Sequence, residues 1–473
     1  MQNRNIDVHC HFFNISFAFA EVLEIGWRWI HGDYPYTSEE RRGLKAIGII
    51  PPELKQLASY VASYFAVATG SPDEHYGYEQ RCCRNSQWHP LQPLITVPLM
   101  MDIFFLFDHG ESEALRALKP ALPGMLQRAA LDVTTVTEEN ANFFEEFAQI
   151  LKAEFIPVYE KKASDRDMAL TLSAKNVTDI SRDLDQVIAD FKDGHAEKGV
   201  RPTPASSTKT SVQMTRGYRK HLQELQVLQI MNPDTVLPFL AVDPRRIGID
   251  ELVREQVVDG AFKGVKLYTP LGYPPSHPNL YPVYRLCMQH HIPVTVHTST
   301  GGLLSLCDRI QTRSQNRTGK VVPVTFDKKT DKSASLFFSE PVKWLEILEN
   351  SEFSGLHLNF AHFGGQEHII KLADQKPDEP VNPDNWTAQI IGLMGRFDNV
   401  YADISYCPKD GMLDYIRAII KRYPIVQKRL MFGTDYIMVM QEYNLGGRLE
   451  NYFNYYTGIY PEMLTANPAA FLG

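Results

Sequence analysis

Ile6-Asp7-Val8-His9-Cys10-His11 is the stretch from which the fold is read. It is short, rich in β-branched residues, and ends in two histidines, which predicts a strand. Residues i and i+2 of a strand point to one side, so His9 and His11 are expected to point together, their Cα atoms roughly 7 Å apart. Two imidazoles at that spacing can hold one divalent ion, and nitrogen binds zinc at about 2.0–2.1 Å.

Seven further segments have the same character: residues 94–107 (part strand), 236–242, 264–268, 292–297, 356–362, 400–404 and 430–435. Helix-like stretches separate the later ones, at 249–259, 280–290, 341–349 and 411–421. Repeated strand–helix units require parallel strands, and eight of them predict an α/β fold of the TIM type, a closed (β/α)8 barrel. We expect one barrel domain over 1–473, with large, mostly helical insertions after strands one and two, at about 14–92 and 109–232, covering the C-terminal face. The first insertion holds Trp27, Trp29 and Trp88, helical patterning near 53–67, and Tyr34, Tyr36, Tyr76 and Tyr78, which could line a substrate funnel or simply pack. The second holds polar helices near 138–162 and 177–192 and a polar linker at 199–211. The long loop at 298–354, with its polar run 309–320, could be a mobile lid.

Composition narrows the function. The chain has 473 residues, 44% hydrophobic and 22% charged, which is ample for a large core. A net charge of −8 and the lack of a long basic run argue against nucleic acid as a partner. No apolar run approaches the roughly 18 residues of a membrane span. The first strand is expected to start at about Ile6, which would leave no room for a cleavable signal. Six scattered cysteines without a C-x-x-C pair point to a reducing, cytoplasmic setting. The expected partner is a small-molecule substrate, and a homo-oligomer is possible.

The strand ends carry the chemistry. Strand one ends in His9 and His11, strand four in Lys266, strand five in His297, strand six in His362 and strand eight in Asp435. Barrel enzymes hold their active sites at this end. Parity agrees in most strands: Ile6 and Val8, Val265 and Leu267, Val294 and Val296, and Leu430 and Phe432 would face the helices, leaving the polar set on the axis. Strand six departs, because Leu358 and Phe360 share the parity of His362. Asp403 and Ser405 read as helix capping or support for the site, Asp7 as support or a strand-end charge, and Cys10 as core.

The order His-x-His, Lys, His, His, Asp resembles the amidohydrolase superfamily. The phrases VDPRR (242–246), FKGVKLYTP (262–270), IPVTVHTS (292–299), FAHFGG (360–365), NVYADIS (399–405) and MFGTDYI (431–437) are most similar to its amidohydrolase-related branch of hydrolases and non-oxidative decarboxylases. The closing NPAAFLG is similar to that branch's short C-terminal helix. The resemblance implies a metal-dependent hydrolase cleaving an amide, lactone or related C–N or C–O bond in a small carboxylated substrate. The alternative is a decarboxylase on the same scaffold, and a non-catalytic barrel ranks below both.

Two metal centres can be built from these residues. In the favoured one, a single Zn2+ is held by His9, His11, His297 and Asp435, with His362 free to polarise the substrate and Lys266 offering a point charge. In the other, a carbamylated Lys266 bridges two ions and His362 joins the ligands. Mn2+ or another divalent ion also suits these donors. Asp435 is the expected proton acceptor and donor, with His362 as its catalytic partner. Tyr268 and Arg309 are candidate substrate-binding residues.

Overall fold

The computed structural model describes residues 4–31, 59–62, 68, 70–107, 145, 148–153, 155–157, 160, 177–196, 214–376, 379–441 and 449–473. Eight parallel strands form the barrel: β1 (Ile6–Cys10), β2 (Ile95–Pro98), β3 (Phe239–Val242), β4 (Gly264–Leu267), β5 (Val294–Val296), β8 (Leu358–Phe360), β9 (Val400–Asp403) and β10 (Leu430–Met431). Strands β3, β4, β5, β8, β9 and β10 pair in that order, and β1 pairs with β2. Backbone bonds close both seams. Met100 N donates to Phe239 O at 3.0 Å and Leu237 N to Thr96 O at 2.9 Å, joining β2 to β3. Val8 N donates to Phe432 O at 3.1 Å and Thr434 N to His9 O at 3.1 Å, joining β10 to β1. The result is a (β/α)8 barrel.

Two cores divide its walls. Val265, Leu267, Val294, Val296, Leu358 and Phe360 belong to the main core shared with the helices. A smaller cluster joins Ile6 and Val8 to Ile95, Val97, Phe239, Tyr401, Met431 and the C-terminal Phe471. These residues come from strands on different sides of the barrel, so they plug its axis below the site. The parity read for β4 and β5 therefore holds, whereas Ile6 and Val8 face the axis rather than the helices. The cause is a register break in β1 between Asp7 and Cys10, which re-aims the strand end. In β8 the strand stops at Phe360. His362 and Phe363 follow in left-handed backbone, with φ of 66° and 49°, so strand parity does not reach His362.

The helices read between the later strands are present, including Leu280–His290, Met412–Arg422 and the C-terminal Ala466–Leu472. The polar run 309–320 is not an irregular loop. It belongs to an antiparallel hairpin, β6 (Arg309–Gln315) with β7 (Val321–Asp327). Ile310 and Phe326 are buried beneath it, and this apolar pair anchors the otherwise polar ribbon.

Of the insertions, α1 (Ile15–His31), α2 (Pro72–Asn85), α3 (Val177–Ala196) and α4 (Arg216–Met231) are described. Ser71 caps α2 in a reciprocal box with Glu74, and Pro72 occupies its first turn. Tyr76 is half-buried and Tyr78 buried within it. The side chains of Trp27 and Trp29, together with Tyr34, Tyr36 and the linker 199–211, lie outside the described residues, as do most of 53–67 and parts of 138–162.

Candidate metal centre

The strand ends bring His9, His11, His297, His362 and Asp435 together, all buried. His9, His362 and Asp435 each offer a ligand atom within 4.8 Å of the other two. His9 Nε2 lies 3.6 Å and His11 Nε2 3.2 Å from Asp435 Oδ1. His297 Nδ1 lies 3.1 Å from His362 Nε2. Asp435 itself is held in left-handed backbone, with φ of 56°, and its N–H donates to His9 O at 2.7 Å.

The outer hydrogen bonds fix where each neutral imidazole keeps its proton. Carbonyl oxygens only accept, so His11 Nδ1 donates to Leu99 O at 2.7 Å and His297 Nε2 donates to Gly301 O at 3.0 Å. Ser405 Oγ donates its one proton to Asp403 Oδ1. That hydroxyl can then only accept from His9 Nδ1 and His362 Nδ1, each 2.9 Å away. Asp403 Oδ2 also faces His9 Nδ1, at 3.3 Å. Four bare imidazole nitrogens are left, and two of them face each other at 3.1 Å. The other two face a carboxylate oxygen, Asp435 Oδ1, that is buried without a hydrogen-bond partner among the described residues. Lone pairs opposed in this way repel, and a divalent cation between them removes the repulsion. Nitrogen donors oriented by carboxylate, hydroxyl and carbonyl groups behind them are what such an ion requires.

The electrostatics agree. Burial, aided by Lys266, pulls His9 down to about 3, and burial likewise lowers His297 and His362, so these rings are neutral. Burial would raise Asp435, but the facing His11, His9 and His362 side chains outweigh it and hold the carboxyl well below its usual range. Asp403 is held down in the same way by His9, His362 and Ser405. Both carboxylates are therefore ionised at neutral pH.

Lys266 lies beneath this cluster rather than in its mouth. It is 2% exposed, its Nζ has no hydrogen-bond partner among the described residues, and burial lowers it to about 8 against the pull of Asp403 and Asp435. The mouth is a cavity of about 130 Å³ whose walls include Met101, Met438, Tyr268, Tyr406 and Leu303. No Lys or Arg is among its described lining residues. Tyr268 stacks on His297 with ring centroids 4.5 Å apart, and its hydroxyl accepts from Leu303 N at 2.9 Å. Arg309 is exposed at the start of β6, on the hairpin and away from that lining, because its alternate Ile310 is the residue that turns inward.

Asp7 sits behind the centre. It accepts from His9 N at 3.0 Å, Thr434 N at 3.1 Å and Thr434 Oγ1 at 2.6 Å, so it pins the end of β1 to the segment carrying Asp435. Burial raises Asp7 to about 6, and burial together with Asp7 keeps the neighbouring Glu79 of α2 protonated. Asn359 was not singled out from sequence. Its amide bonds Asp403 Oδ2 at 2.7 Å, and its axis-facing place between Leu358 and Phe360 was the available signal.

A sequence model of the family described as amidohydrolase matches residues 191–457. No curated protein matches the chain. Among solved structures, an uncharacterised TIM-barrel protein from Bordetella bronchiseptica aligns at 17% identity and TM-score 0.35, over 53% of this chain and 71% of that one. A 2,6-dihydroxybenzoate decarboxylase from Rhizobium aligns at 13% and 0.34, over 54% and 78%. A 5-carboxyvanillate decarboxylase from Sphingomonas paucimobilis aligns at 10% and 0.34, over 55% and 72%.

Proposed function

Because this chain belongs to the amidohydrolase family of metal-dependent enzymes, we propose that it is a hydrolase that cleaves a C–N or C–O bond of a small molecule with one divalent ion, zinc, held among His9, His11, His297, His362 and Asp435. The observation that carries this reading is the set of four bare imidazole nitrogens gathered with Asp435 Oδ1, which has no hydrogen-bond partner among the described residues. When bound, such an ion supplies Lewis acidity and a water acidic enough to ionise near neutral pH.

The side chains do the rest. Asp435, ionised and at the cavity wall, accepts the proton of the attacking water and returns it to the leaving group. His362 presents a lone pair at Nε2, so it serves as a ligand in this reading and not as the free polarising donor expected from sequence. Tyr268 forms one wall, and the cavity volume limits the reacting part of the substrate, since roughly 150 Å³ encloses a benzene ring.

Decarboxylation is the second reading. What favours it is the absence of Lys and Arg from the described cavity lining. A substrate carboxylate entering there would lose its water without gaining a side-chain cation, which weakens its hold on the charge. Asp435, ionised at rest, would first take up a proton from solvent water or a substrate hydroxyl and then deliver it to the carbon that loses carbon dioxide.

Turnover of a panel of small amides, lactones and aromatic acids by the zinc-loaded protein tests both. Hydrolysis that Asp435→Asn abolishes supports the first. Carbon dioxide release from an acid, with no hydrolysis, replaces it with the second. Activity of either kind that survives Asp435→Asn overturns the assignment of Asp435.

A further inference from the structure

We propose that the groove between the β6–β7 hairpin and residues 272–277 is a second binding site, for a small organic anion carrying a carboxylate or phosphate group. This site lies outside the catalytic reading. Its volume is about 480 Å³, within the range of small-molecule sites.

Charge selects the ligand. The chain carries a net charge of −8, yet no Asp or Glu is among the described residues lining this groove. Arg313 reaches it from the exposed face of β6 and makes no ion pair among the described residues. Arg245 borders it from the far side. Its guanidinium is fixed by two bonds to Asp243, at 2.8 and 2.6 Å, and one to Leu271 O at 3.1 Å. Asp243 is itself 1% exposed, so the Arg245 guanidinium is the member of the pair that lines the groove, with its charge offset by Asp243.

His277 supplies a directed donor. Its Nδ1 accepts from Asn279 N at 3.2 Å, which leaves the proton on Nε2, and that N–H has no acceptor among the described residues. Burial lowers His277 to about 4, so it acts as a neutral donor beside Arg313. Thr312 and Thr325 add hydroxyls, while the exposed Pro323 gives an apolar contact for an organic body. A planar guanidinium with an imidazole N–H beside it matches the oxygens of a carboxylate or phosphate.

The test is calorimetric titration of the full chain with inorganic phosphate and, separately, citrate. Saturable binding of at least one is expected, and which one binds identifies the anion type. Arg313→Glu removes a charge-assisted contact and sets a like charge in its place, so it should weaken binding by at least about tenfold. Arg313→Lys should weaken it less, and His297→Ala should leave it unchanged. Arg313 is exposed, so its variants are expected to fold, which native far-ultraviolet dichroism checks. No saturation of either anion up to about 10 mM, binding that Arg313→Glu leaves intact, or binding lost in His297→Ala would each overturn the site.

Discussion

Asp403 and His9 stand 394 positions apart in sequence, yet Asp403 Oδ2 lies 3.3 Å from His9 Nδ1, with both side chains buried. The carboxylate fixes which imidazole nitrogen carries the proton, and the Nε2 lone pair is thereby turned toward Asp435. Removing such a partner typically costs about 10- to 100-fold in metal affinity. Asp403→Ala is expected to weaken zinc binding by that much in a chelator-competition titration while the far-ultraviolet dichroism stays native. Unchanged affinity would remove Asp403 from the site.

Gly302 has a φ of 101°, and a Cβ there would lie 2.5 Å from Tyr268 Oη and 3.1 Å from the His297 ring. Gly302→Ala combines backbone strain with displacement of a cavity wall. It should lower stability by about 1–3 kcal/mol in denaturant unfolding and raise KM in the same preparation. A variant with wild-type stability and kinetics would show that this loop does not shape the cavity.

Glu21 Oε1 accepts from Thr215 Oγ1 at 2.6 Å and Tyr218 N at 2.5 Å, and burial raises the carboxyl from 4.5 to about 8 over the opposing pull of Arg246. A folded value above the unfolded one means the folded chain holds the extra proton. This contribution to stability is therefore complete below about 4.5 and is lost as pH rises through about 8. Glu21→Gln has no such proton to lose. The melting temperature of the wild type should fall relative to Glu21→Gln between these limits, and parallel curves would rule the effect out.

Arg246 is paired with Asp102 while its guanidinium lies 4.2 Å above the Tyr218 ring, and both charges are buried. Asp102→Ala leaves a buried cation without its partner, a loss of about 3–5 kcal/mol. Asp398→Ala, which removes a fully exposed partner of Arg429, should cost much less. Urea unfolding of the two variants compares them, and equal losses would contradict the burial argument.

The barrel was legible because strand-end polar residues recur at like places in successive units, and β4 and β5 keep strict alternation. The exceptions have local causes. The register break after Asp7 and the left-handed turn at His362 each re-aim a side chain, and neither residue type announces a positive φ or a bulge. The hairpin was hidden because its outward face, including Arg309, Gln311 and Arg313, is polar enough to read as loop. Lys266 was placed on the correct face of β4, but parity could not tell that it lies below the cavity rather than in its lining. Asp403 and Ser405 read in sequence as helix capping or support for the site, and only the fold brings them against His9.

The most direct test of the metal centre is the metal content per chain, measured after zinc loading and desalting, for the wild type and Asp435→Asn. One tightly held ion in the wild type, lost in the variant, is the result this account predicts. A wild type that retains no ion, or an Asp435→Asn variant that retains it fully, would contradict it.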